Sequence, residues 1–355
     1  PPVLSNLVTW PEDEGEQGAM LGINDNNTTG RFPGQKYSLS SLIFEIDEPE
    51  HARNERILEA LSEGSLLVVA NLDADTLIAM ANMPQAVNDL IFNAQSADNN
   101  LRQISCQSNV LHSVPSRAMH TDALMQFFVK KKWRQIFFIE GNGDSDKALA
   151  DSYCRSTKKF GSKVVEDKAW IENANMRRNA SNEVPVFTQA RKYDDVIVAD
   201  EDRDFAQYIP YNTWLPRPVT GSAELTPVTW SPVIEQWGAA QLQSRFVKQI
   251  SRDMTSRDYS NWAAVRAIGE AVPRTKSIDV NTLLAYLLSE DFELCGFKGA
   301  PLSFRQWNDQ MRQPVQLVHA SAVVASAPIE GFLHPVTELD TLGFDKPENQ
   351  CKAFD

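Results

Sequence analysis

Short apolar runs alternate with helix-patterned stretches along almost all of this chain, and that alternation restricts the fold more than any single motif. Repeated strand–helix–strand succession argues for parallel sheets covered by helices, an α/β architecture, because parallel neighbours need a crossover and a helix usually supplies it. Strands are expected at 37–46, 66–70, 90–93, 135–139, 163–165, 196–199 and 218–220, with a late β-rich segment at 315–324. Helices are expected at 52–61, 75–82, 121–131, from the loop 141–146 to Phe160, and at 239–250, 262–271 and 280–288. The stretch 16–35 predicts a helix that opens in acidic residues, buries Ala19, Leu21 and Ile23, and stops in an Asn/Gly-rich turn.

At 355 residues the chain is too long for one ordinary core, so two domains are expected. With 42% hydrophobic and 23% charged residues it is globular. No apolar run approaches the roughly 18 residues that cross a bilayer. The chain opens at Pro1 without a basic and apolar leader, so an exported form would have had its signal peptide removed. A net charge of −13 argues against a nucleic-acid surface, which needs clustered Lys and Arg. The one basic run, Lys130-Lys131-Lys132, falls at the end of a helical pattern, where cations complement the helix dipole.

Signatures of catalysis and metal binding are missing. There is no G-x-S-x-G, H-E-x-x-H, P-loop or G-x-G-x-x-G. His51, His112, His120, His319 and His334 show no ligand spacing, and His112 reads best as a loop or core residue. Asn142, Asp144 and Asp146 imitate the start of a calcium loop, but the sixth position is Lys147 and the twelfth Tyr153. They read instead as a helix start, capped by Asp144 or Ser145. No enzymatic activity is expected, and no catalytic cofactor. Cys106, Cys154, Cys295 and Cys351 form no CxxC pair, and four cysteines allow three full pairings. Cys154 and Cys295, in apolar surroundings, are expected to be buried thiols.

Several longer segments point to one family. They are DNNTTGRF at 25–32, HSVPSRAM at 112–119, the stretch 218–230, FKGAPLSFRQW at 297–307, DQMRQP at 309–314 and LDTLG at 339–343. In these the chain resembles the ABC transporter periplasmic substrate-binding proteins associated with pyrroloquinoline quinone (PQQ)-dependent alcohol dehydrogenase systems. The resemblance covers almost the whole chain. It implies the type I periplasmic binding protein fold, Leu/Ile/Val-binding-protein-like, with two Rossmann-like lobes joined by a multi-strand hinge and closing on a ligand. Crossings are implied near Pro115, Trp237 and Pro314. Lobe 1 would be 1–115 plus 238–313, lobe 2 would be 116–237 plus 314–335, and 336–355 a tail packed on a lobe. Family members carry a further strand ahead of the position of Pro1. The resemblance also implies a Cys106–Cys351 disulfide, a periplasmic monomer not inserted in the membrane, PQQ as bound ligand, and an ABC permease or a PQQ-dependent dehydrogenase as partner.

In an open α/β sheet, ligands sit outside the carboxyl ends of the strands. The corresponding loops are expected at 10–15, 71–76, 105–108, 141–144, 200–204 and 221–230. They supply the candidate ligand-binding residues Asn71, Asp73, Ser105, Asn142, Asp144, Glu201 and Ser222, and backbone amides at helix starts suit carboxylates. Trp10, Trp170, Trp214 and Trp230 fall in loops and are expected to stand outside the cores. Trp10, Trp214 and Trp230 are the candidates to stack on a planar ligand, whereas Trp133 and Trp262 fit the cores. Arg117, Arg203 and Arg217 could fork onto carboxylates. The run Glu12-Asp13-Glu14 opposes an anion, although a helix start just behind it accounts for those charges. Two other roles fit the same residues: capture of an alcohol-derived or aromatic acid for a permease, and a ligand-free accessory or sensor subunit of the dehydrogenase.

Overall fold

The computed structural model describes residues 10–29, 34–45, 48–62, 64, 67–170 and 176–354. In chain order it forms α1 (Glu16–Thr29), α2 (Glu50–Ser62), β1 (Leu67–Ala70), α3 (Ala74–Ala81), β2 (Leu90–Asn93), β3 (Val110–His112) and α4 (Arg117–Lys131). Then come β4 (Gln135–Glu140), α5 (Asp144–Lys159), β5 (Lys163–Ala169), α6 (Met176–Phe187), β6 (Asp195–Ala199), β7 (Val219–Gly221) and β8 (Leu225–Val228). The last part holds α7 (Ala239–Ile250), α8 (Ser256–Thr275), α9 (Val280–Leu287), β9 (Leu294–Cys295), β10 (Pro301–Phe304), β11 (Met311–Arg312), β12 (Val315–His319) and β13 (Ala322–Ala327). Two compact units divide these. Unit 1 is Pro1–Pro11, Arg117–Val228 and Pro314–Asp345; unit 2 is Glu12–Ser116, Thr229–Gln313 and Lys346–Asp355. The passage expected after Trp237 therefore falls after Val228, and residues 336–345 go with unit 1.

Unit 1 is built on a seven-stranded sheet in the order β13-β12-β8-β7-β6-β4-β5. Its strands β5, β4, β6 and β7 are parallel, while β12 runs antiparallel to β8 and β13. Period-two alternation explains its two cores. Ile136 and Phe138 of β4 and Ile197 of β6 join α4 and α5 residues such as Leu124, Phe128 and Tyr153 in one cluster. Their sequence neighbours Phe137, Ile139, Val196 and Val198 join Trp170, Ala180 and Val184 in the other. Each such side chain, taken fully from water, stabilises by about 1.5–3 kcal/mol. Asp122 of α4 fastens the segment after β13, accepting from Arg155, Lys159, Ser156 and the Gly343 amide at 2.5–3.0 Å.

Unit 2 carries a parallel sheet β1-β2-β3 and a small antiparallel sheet β11-β10-β9. Ile57, Leu61, Leu77 and Met80 of α2 and α3 pack on Ala70, Ile91 and Val110. Helices α1 and α8 approach so closely that a Cβ on Gly18 would stand 1.9 Å from the Asp258 carbonyl oxygen. A Cβ on Gly269 would stand 1.9 Å from Asn26 Oδ1. At Gly18 the contact is with backbone and admits only glycine; at Gly269 a side chain would have to displace Asn26 from its bond to the Val265 carbonyl. A disulfide joins Cys106 to Cys351 across 245 residues, the pairing the resemblance implies. Among the described residues no helix is long and apolar enough to cross a membrane.

The structure corrects several expectations. Residues 37–45 form no strand: the segment is held by side chains, Asn27 to both Tyr37 backbone groups and Arg56 to the Ile43 carbonyl. Residue 46 lies outside the described residues, as do residues 30–33 of the Asn/Gly-rich turn expected to end the first helix. Asn24 to Thr29 continue α1 instead of ending it, because Asn26 donates to the Val265 carbonyl of α8 at 2.8 Å and Thr28 back-bonds to Asn24. Helix α5 starts after Gly143, not behind a cap at Asp144 or Ser145, and the Asp146 carboxylate accepts the Gly143 amide at 3.1 Å. Cys295 is exposed and Cys154 half-buried: on the short strand β9, Leu294 turns inward and leaves Cys295 facing out.

Candidate functional site

Strand order locates the site of unit 1. After β4 the chain crosses outward to β5, then returns past β4 to β6, so the order reverses between β4 and β6. At such a reversal the two loops leaving the carboxyl ends part and open a crevice. Here they are the loop 141–143 into α5 and the loop from Asp200 to Asp204.

The two loops are stitched together by carboxylates. Asp146 accepts the Glu201 amide at 2.7 Å as well as that of Gly143, and Ser145 donates to Asp202 at 2.9 Å. Asp200 accepts the amides of Asp204, Phe205 and Ala206 at 2.6–3.0 Å, which winds the β6 loop into a tight turn. Ser222, leaving β7, accepts the Asp200 amide at 3.0 Å. Arg117, first residue of α4, forks onto Glu201 at 2.6 and 3.0 Å. Its guanidinium thus meets a carboxylate of this chain, where the sequence suggested one of a ligand. Asn142 is exposed and donates to the Trp170 carbonyl at 2.5 Å. Asp144 is exposed beside Lys147.

Charge here is negative. Asp144, Asp146, Asp200, Glu201, Asp202 and Asp204 face only Arg117, Lys147 and Arg203 on these loops and the start of α4. Burial pushes Asp146, Glu201 and Asp204 above the ordinary carboxylate range, and their acidic neighbours add to the rise. Next to them stands an aromatic surface. The Arg203 guanidinium lies 5.6 Å from the Trp10 ring, and 52% of Trp10 is exposed. Arg203 holds a positive φ of 60°, a costly conformation for a non-glycine residue.

The remaining candidates of unit 1 lie elsewhere. Trp214, also 52% exposed, donates its amide N–H to the Thr188 hydroxyl, and Arg217 donates to the Tyr193 carbonyl. Thr188 and Tyr193 precede β6, so Trp214 and Arg217 sit at the amino end of the sheet, opposite the loops. Trp170 is sealed in the core, stacked on Phe205 at 5.6 Å and 8°.

Unit 2 presents a quieter edge. Asn71, leaving β1, exchanges two amide bonds with Asn261 of α8 at 2.8 and 2.9 Å. Asp73 caps α3, accepting the Thr76 amide and hydroxyl at 2.9 and 2.7 Å. Ser105 leads into the amino end of β3 rather than out of a strand, and borders a small apolar recess with Leu77, Ile78 and Leu101. The carboxyl edge there is formed by the loops 94–98 and 113–116. Trp230 is 3% exposed and cannot offer a flat face to a ligand. Its ring stacks on Tyr259 and its indole N–H donates to Gln243 at 3.0 Å. Two carboxylates of the acidic run are paired within the unit, Asp13 with Arg252 at 3.0 Å and Glu14 with Arg257 at 2.9 Å. His112 is a core residue of β3 bonded to Asn93 and the Leu101 carbonyl. Among the described residues no group of His, Cys, Asp and Glu could hold a metal ion. Asp146, Asp200 and Asp202 are site residues that motif reading missed; the one signal was a carboxylate placed just after a strand or in the first turn of a helix.

No family model matches the chain, and no curated protein matches it. Solved structures do. A branched chain amino acid ABC transporter periplasmic ligand-binding protein from Burkholderia xenovorans LB400 is 13% identical, with a TM-score of 0.76 over 99% of this chain and 98% of that one. A periplasmic binding protein from Burkholderia mallei is 14% identical, with a TM-score of 0.70 over 96% and 94%. The solute-binding protein of an ABC transporter from R. palustris, solved in complex with benzoate, is 12% identical, with a TM-score of 0.67 over 95% of both chains. At these identities the likeness is one of architecture: this chain has the type I periplasmic binding protein fold.

Proposed function

We propose that this chain is a periplasmic solute-binding protein that captures a small planar carboxylate and passes it on without making or breaking a bond. The observation that carries the reading is the exposed Trp10 indole beside Arg203 at the β4/β6 reversal of unit 1. A rigid ring next to a guanidinium matches an aromatic face next to a carboxylate. The ligand named by the sequence resemblance is PQQ, a fused aromatic quinone with three carboxylates, for uptake or delivery linked to a quinoprotein alcohol dehydrogenase system. Capture by closure of the two units, and transfer to an ABC permease, belong to the same proposal.

The charge of unit 1 favours a second reading. Six carboxylates against three cations on and beside those loops oppose a trianion more than a monocarboxylate. An aromatic or alcohol-derived acid for a permease fits that field better, and the fold relative solved with benzoate binds such an acid. Titration with PQQ and, separately, benzoate, followed by Trp fluorescence, separates the readings. PQQ quenching that saturates at one equivalent, and weakens about tenfold in Trp10→Ala from loss of roughly 1.4 kcal/mol of stacking, supports the quinone. Saturation by benzoate with no response to PQQ supports the second reading. Silence with both, and a dehydrogenase co-purifying, would leave the accessory-subunit role and refute capture.

A further inference from the structure

The chain enters or leaves unit 2 at 11/12, 116/117, 228/229, 313/314 and 345/346. Three of these passages lead within a few residues to one buried amine. Lys298, 1% exposed, donates to Gln313 Oε1 at 2.8 Å, and Gln313 Nε2 donates to the Ser113 carbonyl at 2.8 Å. The same amine stands 4.9 Å from the centre of the Tyr259 ring. That ring stacks on Trp230 with centroids 4.8 Å apart and planes 9° apart. Its hydroxyl donates to the Gly296 carbonyl at 2.6 Å, which fixes Tyr259 against the segment carrying Lys298.

A second rung repeats the device. Buried Arg102 donates Nε to Gln310 Oε1 at 2.8 Å, and Gln310 Nε2 reaches the His112 and Val114 carbonyls at 3.3 and 3.0 Å. Backbone joins the same segments, His112 N to the Asp309 carbonyl at 2.9 Å. Two basic side chains thus orient two glutamines, and the glutamines hold 112–114 beside 310–313.

An ordinary core lysine does not account for this. An ammonium buried without a carboxylate costs stability, and a Met of the same reach would fill the space without that cost. Among the described residues no carboxylate pairs with Lys298, and burial holds its pKa well below the usual lysine range. The amine supplies what Met lacks, a donor that fixes which way the Gln313 amide points.

We propose that Lys298 is a positioning residue. It pins the passages at 116, 229 and 313 to one another inside unit 2, through Gln313 on one side and Tyr259 on the other. This goes beyond the ligand reading above and holds whatever the ligand is.

Hydrogen exchange on the full chain without ligand tests it. Lys298→Met should speed exchange at His112, Ser113 and Trp230 by about tenfold or more, while amides of β4 and β6 in unit 1 keep wild-type rates. Gln313→Glu keeps the acceptor for Lys298 but loses the donor to Ser113. It should speed His112 and Ser113 and leave Trp230 unchanged, and it decides the matter should Lys298→Met not fold. Wild-type rates at Ser113 and Trp230 in Lys298→Met would overturn the proposal. So would a uniform rise through both units, or equal effects of Gln313→Glu on Ser113 and Trp230.

Discussion

The carboxyl-edge loops of unit 1 and unit 2 solve the same folding problem with different chemistry. In unit 1 they are tied by carboxylates, with Asp146 and Asp200 gathering amides and Arg117 pairing Glu201. In unit 2 they are tied by neutral groups and a cap, the Asn71–Asn261 pair and Asp73 on α3. Each unit also seals one loop indole against an aromatic ring, Trp170 on Phe205 and Trp230 on Tyr259. The lesson is that loop charge and loop aromaticity are not by themselves binding features. Most serve the unit that carries them, and Trp10 stands apart because its half-exposed indole lies beside Arg203 at the carboxyl edge, whereas the equally exposed Trp214 lies at the opposite edge.

The largest expected effect separates sealed from open indoles. Trp170→Ala and Trp230→Ala should each cost about 3–5 kcal/mol of stability, since both leave a cavity in a packed core. Trp10→Ala and Trp214→Ala should stay within about 0.5 kcal/mol. Denaturant unfolding of the four variants measures this, and equal costs in all four would erase the distinction between the two classes.

Next comes the ionic web. Arg117→Ala should cost about 1.5–3 kcal/mol, the worth of a charged hydrogen-bonded contact, because Glu201 is left without its partner. Asn71→Ala should cost about 1 kcal/mol, and its effect should be insensitive to salt, whereas that of Arg117→Ala should shrink in 1 M NaCl. Matching salt responses would mean that the two edges are held by the same kind of force.

The smallest effect is in pH. Asp146 and Glu201 have folded pKa values raised chiefly by burial. The stability they contribute is full below the ordinary carboxylate range and lost as pH rises through the raised values. For Asp73, burial acts upward, but the Thr76 amide and hydroxyl and Arg53 more than reverse it and leave the pKa lowered. Its contribution is present above the ordinary value and lost as pH falls through the lowered one. Between pH 7 and about 5, exchange protection corrected for intrinsic rate should therefore rise at Glu201 and stay flat at Thr76. A fall at Glu201 would contradict the raised values.

What could be read in the residues follows the same division. Strands β4 and β6 were legible because both faces are buried and the apolar runs are unbroken. Helix α7 was legible because its apolar residues keep one face. The end of α1 was not, since what keeps Asn26 helical is a carbonyl of α8, more than two hundred residues away. Segment 37–45 has a strand's composition but no ladder partner among the described residues, and composition is silent on partners. Of the site, the loops at 141–144 and 200–204 followed from the expected ends of the strands before them, whereas the burial of Trp230 and the pairing of Arg117 with Glu201 are tertiary events. Trp214 and Arg217 were misplaced for a related reason: a loop's two ends belong to opposite edges of the sheet.

Unit 2 is assembled from three separate stretches, Glu12–Ser116, Thr229–Gln313 and Lys346–Asp355, and unit 1 likewise needs β12 and β13 from beyond Gln313. A nascent polypeptide released after Gln313 would lack the outer antiparallel strands of one half and the Cys351 tether of the other. Protease resistance should then arrive only once residues beyond Gln313 have emerged, and in both halves together, so any machinery that must thread the chain before it folds has everything up to that point to work with.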